Sequence, residues 1–278
     1  MLNPLPQLVP SPSPRTTTPN PPHAHTSFAT LSFSGPGHLH FFRFPSTLHF
    51  LLHATILSSW PLGITLTSKS TSSHGDSVDY KLKSFPWAPV QPRLFGNALT
   101  SNDSVIQARR LLGAVFAALY SEGWMIALGT EVSRSRAMGE RLLCCFRYQG
   151  SGRRRAPEVC EWMSVSWDAK NKLRFVDAPI ELCVLVAERL RNLIERQRVV
   201  AGMEGVFKIK LKGSVGGKWY DGVRMRGLVL DLLECLEESG WRVYATVEQQ
   251  VGGLEDGAAE SRHCCRVRGW TGGMLVYD

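Results

Sequence analysis

Lys208, Lys210 and Lys212 alternate with Phe207, Ile209 and Leu211. On a β-strand that spacing lines one face with cations and the other with apolar side chains. Lys81 and Lys83 repeat the pattern earlier in the chain, and Arg266 and Arg268 share a side with Arg262 near its end. A row of cations can hold phosphates; on a solvated face it equally discourages edge pairing. Single-strand nucleic-acid binders add stacking aromatics, and Tyr244 is the candidate for that role here. Leu142, Phe146 and Tyr148 are apolar where the arginines fall in the later copy, so either the register slips or the copies bury different faces.

Acid–base and nucleophilic chemistry have thinner support. Glu131 and Glu248 are carboxylates at matched strand ends, and brought together they could work as acid and base. The competing reading pairs each with Arg109 or Arg226, or leaves it in water. His263 and Cys264 superficially suggest a base and a nucleophile, but neighbours on a strand point to opposite faces. Neither a G-x-x-x-x-G-K-[ST] nor a G-x-G-x-x-G loop occurs. No catalytic residue, metal ligand or cofactor is expected.

Composition bounds the remaining classes. The 278 residues are 44% hydrophobic and 20% charged, with a formal charge of +8. Residues 1–75 hold Arg15, Arg43 and Lys69 and no acid, which leaves a mild excess for the rest. The seven cysteines, 144, 145, 160, 183, 235, 264 and 265, lack C-x-x-C spacing. They suit reduced, intracellular usage better than zinc ligation or a disulfide framework. Six of the eight histidines precede residue 54, another is His74, and His263 alone falls within the repeats described next.

Two copies of one unit must position these groups. Setting Trp124 over Trp241 aligns Leu111–Glu131 with Leu228–Glu248 without a gap. Met225, Leu228, Val229, Leu232, Leu233 and Leu236 recur at three and four, the spacing of an amphipathic helix. Gly123 and Gly240 suit the left-handed residue that stops such a helix. There Trp124 should pack on Leu119, and Trp241 on Leu236. Tyr80–Lys83 matches Phe207–Lys210 upstream, and Cys144-Cys145 matches Cys264-Cys265 downstream. The expected class is α+β: a pseudo-twofold antiparallel sheet from two β-α-β-β repeats, with helices on one face. Repeat one spans 80–148, a hairpin-and-helix insert 158–198, and repeat two 206–278, all in one domain. The insert's helix is expected to start at Asp177 and run to about Arg198. Arg153-Arg154-Arg155 reads as a solvated loop.

Residues 1–75 are expected to lie outside the fold, as a disordered, targeting or mis-annotated segment. Residues 48–66 have the length of a membrane span, but His49, His53, Ser58, Ser59 and Pro61 weaken that reading.

The strings FKIKLKG, ESGW, CEWMSVSWD, LRFVDAP and GWTGGMLVYD resemble an uncharacterised, chiefly fungal protein family over about residues 80–278. The resemblance implies the boundary near residue 80 and no activity. The leading expectation is a non-enzymatic, intracellular interaction module with a protein partner. The alternatives are nucleic-acid or polyanion binding on the lysine face and an enzyme using the two glutamates; mitochondrial targeting is the other localisation considered, and a membrane partner is disfavoured.

Overall fold

The computed structural model describes residues 27–84, 86–87, 101–130, 140–149, 158–168, 171–213, 219–250 and 258–276. Alternation along the strands decides the architecture. Leu31, Phe33, Leu39, Phe41, Val78, Tyr80 and Leu82 are buried, each next to a polar residue, as a sheet covered on one face requires. The first half runs β1 (Phe28–Ser34), β2 (His38–Phe42), α1 (Thr47–Ser59), β3 (Ile64–Ser72), β4 (Gly75–Leu82), α2 (Ser101–Ser121), β5 (Trp124–Thr130), β6 (Glu140–Tyr148). The second runs β7 (Cys160–Asp168), β8 (Lys172–Val176), α3 (Ile180–Arg189), β9 (Ile194–Val199), β10 (Val206–Leu211), α4 (Trp219–Glu238), β11 (Arg242–Gln250), β12 (Ala258–Val267). The sheet orders are β3-β4-β2-β1-β6-β5 and β11-β12-β7-β8-β10-β9, one topology used twice.

The fold is therefore α+β, antiparallel and duplicated, as the sequence implies. Its unit, however, is ββαββαββ, larger than the expected β-α-β-β. The segment read as an insert opens the second unit, and its counterpart lies among the N-terminal residues assigned outside the fold. Phe28–Ile56 falls on Trp162–Leu190 without a gap. Arg43 and Asp177, equivalent in that alignment, both have positive φ (62° and 59°), and each stands two residues before a proline. The boundary near residue 80 is thus corrected: residues 28–72 supply β1, β2, α1 and β3. The span reading fails for a related reason. Leu48, Leu52 and Ile56 of α1 are buried in the first core, and among the described residues no helix is long and apolar enough to cross a membrane.

Register corrects two alignments. Leu39 pairs with Tyr80 and its equivalent Leu173 with Ile209, so Lys81 matches Lys210 rather than Lys208. Phe146 pairs with Ala29 and Cys264 with the equivalent Met163. Phe146 therefore matches Cys264, and Cys144-Cys145 matches Arg262-His263. The two-residue slip leaves every side chain on its own face: Phe146 and Cys264 both point into their cores, and Arg262 and Arg266 share that face of β12. Bulges stand at equivalent places, between Ile126 and Leu128 and between Val243 and Ala245.

The helix expected over Asp177–Arg198 is shorter. α3 ends at Arg189, a 3-10 turn covers Arg191–Leu193, and Arg196 and Arg198 lie on β9. The N-cap is Pro179, without a side-chain hydrogen bond. Asp177 instead accepts hydrogen bonds from Arg110 of α2.

The layers follow from two cores. Leu48, Leu52 and Ile56 of α1 join Leu111, Leu112, Val115 and Leu119 of α2 beneath Leu31, Phe41 and Phe146 of the first sheet. Leu182 and Val186 of α3 join Leu228, Leu232 and Leu236 of α4 beneath Leu173, Phe175, Ile209 and Leu211 of the second. Helix α2 also packs on β7 and β8. Helices on one face hold for the first sheet; the second is partly covered on both. Tyr244 ties the edge strands β5 and β11 together, accepting from the Ile126 amide at 3.1 Å and donating to the Trp124 carbonyl at 3.3 Å.

Candidate functional site

The pleat puts Lys172 and Arg174 of β8, Lys208 and Lys210 of β10, and Arg196 and Arg198 of β9 on the face of the second sheet turned away from α3 and α4. Their neighbours Leu173, Ile209 and Leu211 point into the core beneath those helices. Register then sets the cations in two rows. Arg174 lies opposite Lys208, and Lys208 opposite Arg198; Lys172 lies opposite Lys210, and Lys210 opposite Arg196. Strands lie about 4.8 Å apart, so each row spans roughly 10 Å. Between the rows is a shallow cavity of about 130 Å³ whose lining includes all six cations.

Every direct cross-strand pair in this grid is like-charged, an arrangement that destabilises a sheet. Lys172, Arg196 and Arg198 are exposed, Lys208 and Lys210 are half-buried, and Arg174 is buried. Some charge is balanced within the chain. A bulge between Lys210 and Leu211 leaves Glu195 without a cross-strand partner, and its carboxylate meets the Lys210 ammonium at 2.5 Å. Asp168 stands opposite Lys172 in register.

The other cations expected on this face lie elsewhere. Lys212 follows the end of β10 and donates to the Asn192 carbonyl at 3.1 Å. Lys81 and Lys83 belong to the first half: Lys81 is exposed on β4 opposite His38, and Lys83 lies just past that strand. Arg266 faces α4. It pairs with Glu161 at 2.6 Å, donates to the Ser239 carbonyl and lies 4.8 Å over the Trp241 ring. Arg268 follows β12 and is exposed. The grid members missed in the sequence, Lys172, Arg174, Arg196 and Arg198, alternate on β8 and β9. The alternation K-L-R and R-Q-R marks them in the sequence, but the expected helix over Asp177–Arg198 covers β9 and hides its faces.

The repeat-matched residues Leu119, Gly123, Trp124, Leu236, Gly240 and Trp241 build the two helix stops. Gly123 and Gly240 have φ of 80° and 78°. The Trp241 amide donates to the Leu236 carbonyl at 2.8 Å, the bond that closes such a stop. Both tryptophans are buried.

The acid–base candidates are not brought together by any described contact. Glu131 lies outside the described residues, as does Arg153-Arg154-Arg155. Glu248 lies opposite Glu260 on β11, Arg109 is buried against the Ser261 hydroxyl, and Arg226 is exposed. His263 and Cys264 point apart, His263 towards Phe116 of α2 and Cys264 into the α3–α4 core.

The seam between the halves holds a second polar cluster. Tyr120, Trp162 and Tyr244 meet edge to face. Beside them Arg242 donates to Cys265 at 3.3 Å and to the Tyr120 hydroxyl at 3.0 Å. Cys265 donating to the Cys160 thiolate, helped by Tyr120 and Arg242, pulls the Cys160 thiol down to about 7.

A family model for an uncharacterised conserved domain matches residues 27–145 and 161–265, segments that coincide with the two halves. No curated protein matches. A crystal structure of a conserved kinetoplastid-specific protein from Trypanosoma cruzi is similar at 12% identity. It covers 38% of this chain and 95% of its own, with a TM-score of 0.30. None of these matches supports the chiefly fungal character that the sequence resemblance implies.

Proposed function

The chain belongs to the domain family whose model spans both its halves, and from that premise we propose that it is a non-enzymatic module binding a phosphate polyanion, with nucleic acid as the ligand class. One observation carries this reading: six cations from three adjacent strands stand in direct cross-strand register around one cavity. Like charges placed this way cost stability, and a bound polyanion offsets that cost while releasing its own counterions. The side chains around the cavity are the six cations; Leu173 and Ile209 also line it but turn their side chains into the core. Recognition would therefore run through the backbone phosphates and be largely independent of sequence.

The test is fluorescence anisotropy of labelled single-stranded RNA, single-stranded DNA and duplex DNA with the full chain at low and physiological salt. The expected result is binding that weakens as salt rises. Lys208→Glu with Lys210→Glu should weaken it at least tenfold, and Lys208→Ala should lower the log–log salt slope by about 1. Absence of binding at low salt, or binding indifferent to the double reversal in a folded protein, would overturn the proposal.

A further inference from the structure

The first half uses the equivalent face differently. By register, His38 occupies the place of Lys172, His40 that of Arg174, and Asp79 that of Lys208. His38 and His40, two apart on β2, point to the same side, and Asp79 of β4 lies directly opposite His40. The His38 Nδ1 is 3.0 Å from one Asp79 carboxylate oxygen and 3.3 Å from the other. The His40 Nδ1 is 3.2 Å from Asp79 Oδ1. One ligand atom from each residue lies within 4.8 Å of the others.

We propose that His38, His40 and Asp79 form a divalent transition-metal site with an open coordination position, zinc being the reference ion. Zinc bonds to histidine nitrogen and carboxylate oxygen are about 2.0–2.2 Å. Tetrahedral ligands at those lengths stand roughly 3.3–3.5 Å apart, close to the 3.0–3.3 Å between Asp79 and either histidine. Two imidazoles and one carboxylate suit zinc and its first-row neighbours, and three protein ligands leave a position for water or an anionic oxygen.

A supporting group is also in place. The Ser34 hydroxyl lies against Nε2 of His40. With a metal on Nδ1, this hydroxyl would accept from Nε2–H, as outer-shell partners of metal-bound histidines do. The two rings stack 5.7 Å apart at 14°, both beside the Asp79 carboxylate. All three side chains are partly exposed, at 28%, 34% and 24%, which leaves an entry path. Lys81 lies opposite His38 in register; it is exposed and can turn its ammonium into water.

The test is titration of the metal-free, untagged full chain with Co²⁺, read by visible absorption, followed by displacement with Zn²⁺. One Co²⁺ per chain is expected, with d–d bands of nitrogen and oxygen ligands and no sulfur charge-transfer band. Asp79→Asn and His40→Gln should each weaken binding more than tenfold without altering the melting of the metal-free protein. Ser34→Ala should weaken it about tenfold. In the wild type, Zn²⁺ should shift the His38 and His40 ring resonances in NMR spectra, which tests the site even where a variant misfolds. A thiolate band, unshifted ring resonances, or affinity unchanged in both ligand variants would overturn the proposal and leave a hydrogen-bonded cluster only.

Discussion

His263 is fully buried between α2 and the second sheet, with neither ring nitrogen hydrogen-bonded among the described residues. Desolvation, helped by the Arg109 charge, pushes its pKa down to about 3 from 6.5. The folded state keeps the ring neutral while the unfolded state takes up a proton, so stability rises with pH between these values. The contribution is complete above about pH 6.5 and is lost as pH falls towards 3. In His263→Phe, denaturant midpoints measured across that window should depend less on pH than in the wild type. Cysteine chemistry sorts the same way. Burial pushes Cys144, Cys183 and Cys264 up to about 12, whereas Cys160 is brought down to about 7 and is half-buried. Since the thiolate is the nucleophile, mass-spectrometric mapping of brief iodoacetamide labelling at pH 7.5 should find Cys160 modified first.

At the element scale the two helix stops are alike in backbone and unlike in surroundings. Both glycines have φ near 80°, where an added side chain costs about 1–2 kcal/mol. A Cβ at Gly240 would also meet the Trp270 ring at 2.2 Å, whereas at Gly123 the nearest atom is a Tyr148 ring carbon at 3.4 Å. Gly240→Ala should therefore destabilise more than Gly123→Ala, as thermal melts of the two variants would show. The Tyr244 clasp makes a separate prediction. Tyr244→Phe removes the acceptor of the Ile126 amide and a donor to Trp124. A loss of about 1–3 kcal/mol is expected, visible in denaturant unfolding, with faster amide exchange at Ile126.

The whole molecule depends on residues that look dispensable in the sequence. Strand β1 sits between β2 and β6, so removing it cuts the first sheet in two and uncovers the core of α1 and α2. A fragment of residues 76–278 should fail to give a cooperative melt, while residues 27–278 should give one. Reagents that begin near residue 80 would test an unfolded first half.

The sequence by itself determined the class, the duplication and the helix stops. These rest on local physics: period-3.6 stripes, glycine at positive φ, and the fixed distance from helix to tryptophan. It also showed the lysines of β10, because alternation survives without knowledge of partners. Register was not local. A two-residue slip kept every side chain on its proper face, so the strings alone could not distinguish Lys208 from Lys210 as the partner of Lys81. The N-terminal half of the first unit was hidden by composition. With few charges, α1 has no polar stripe to mark it, and β1 and β2 read as an acid-free tail. Only pairing across strands put Lys172, Arg196 and Arg198 beside Lys208 and Lys210, and brought Asp79 to two histidines some forty residues away. Both sites are made of residues from neighbouring strands, and which strands are neighbours is decided by the sheet.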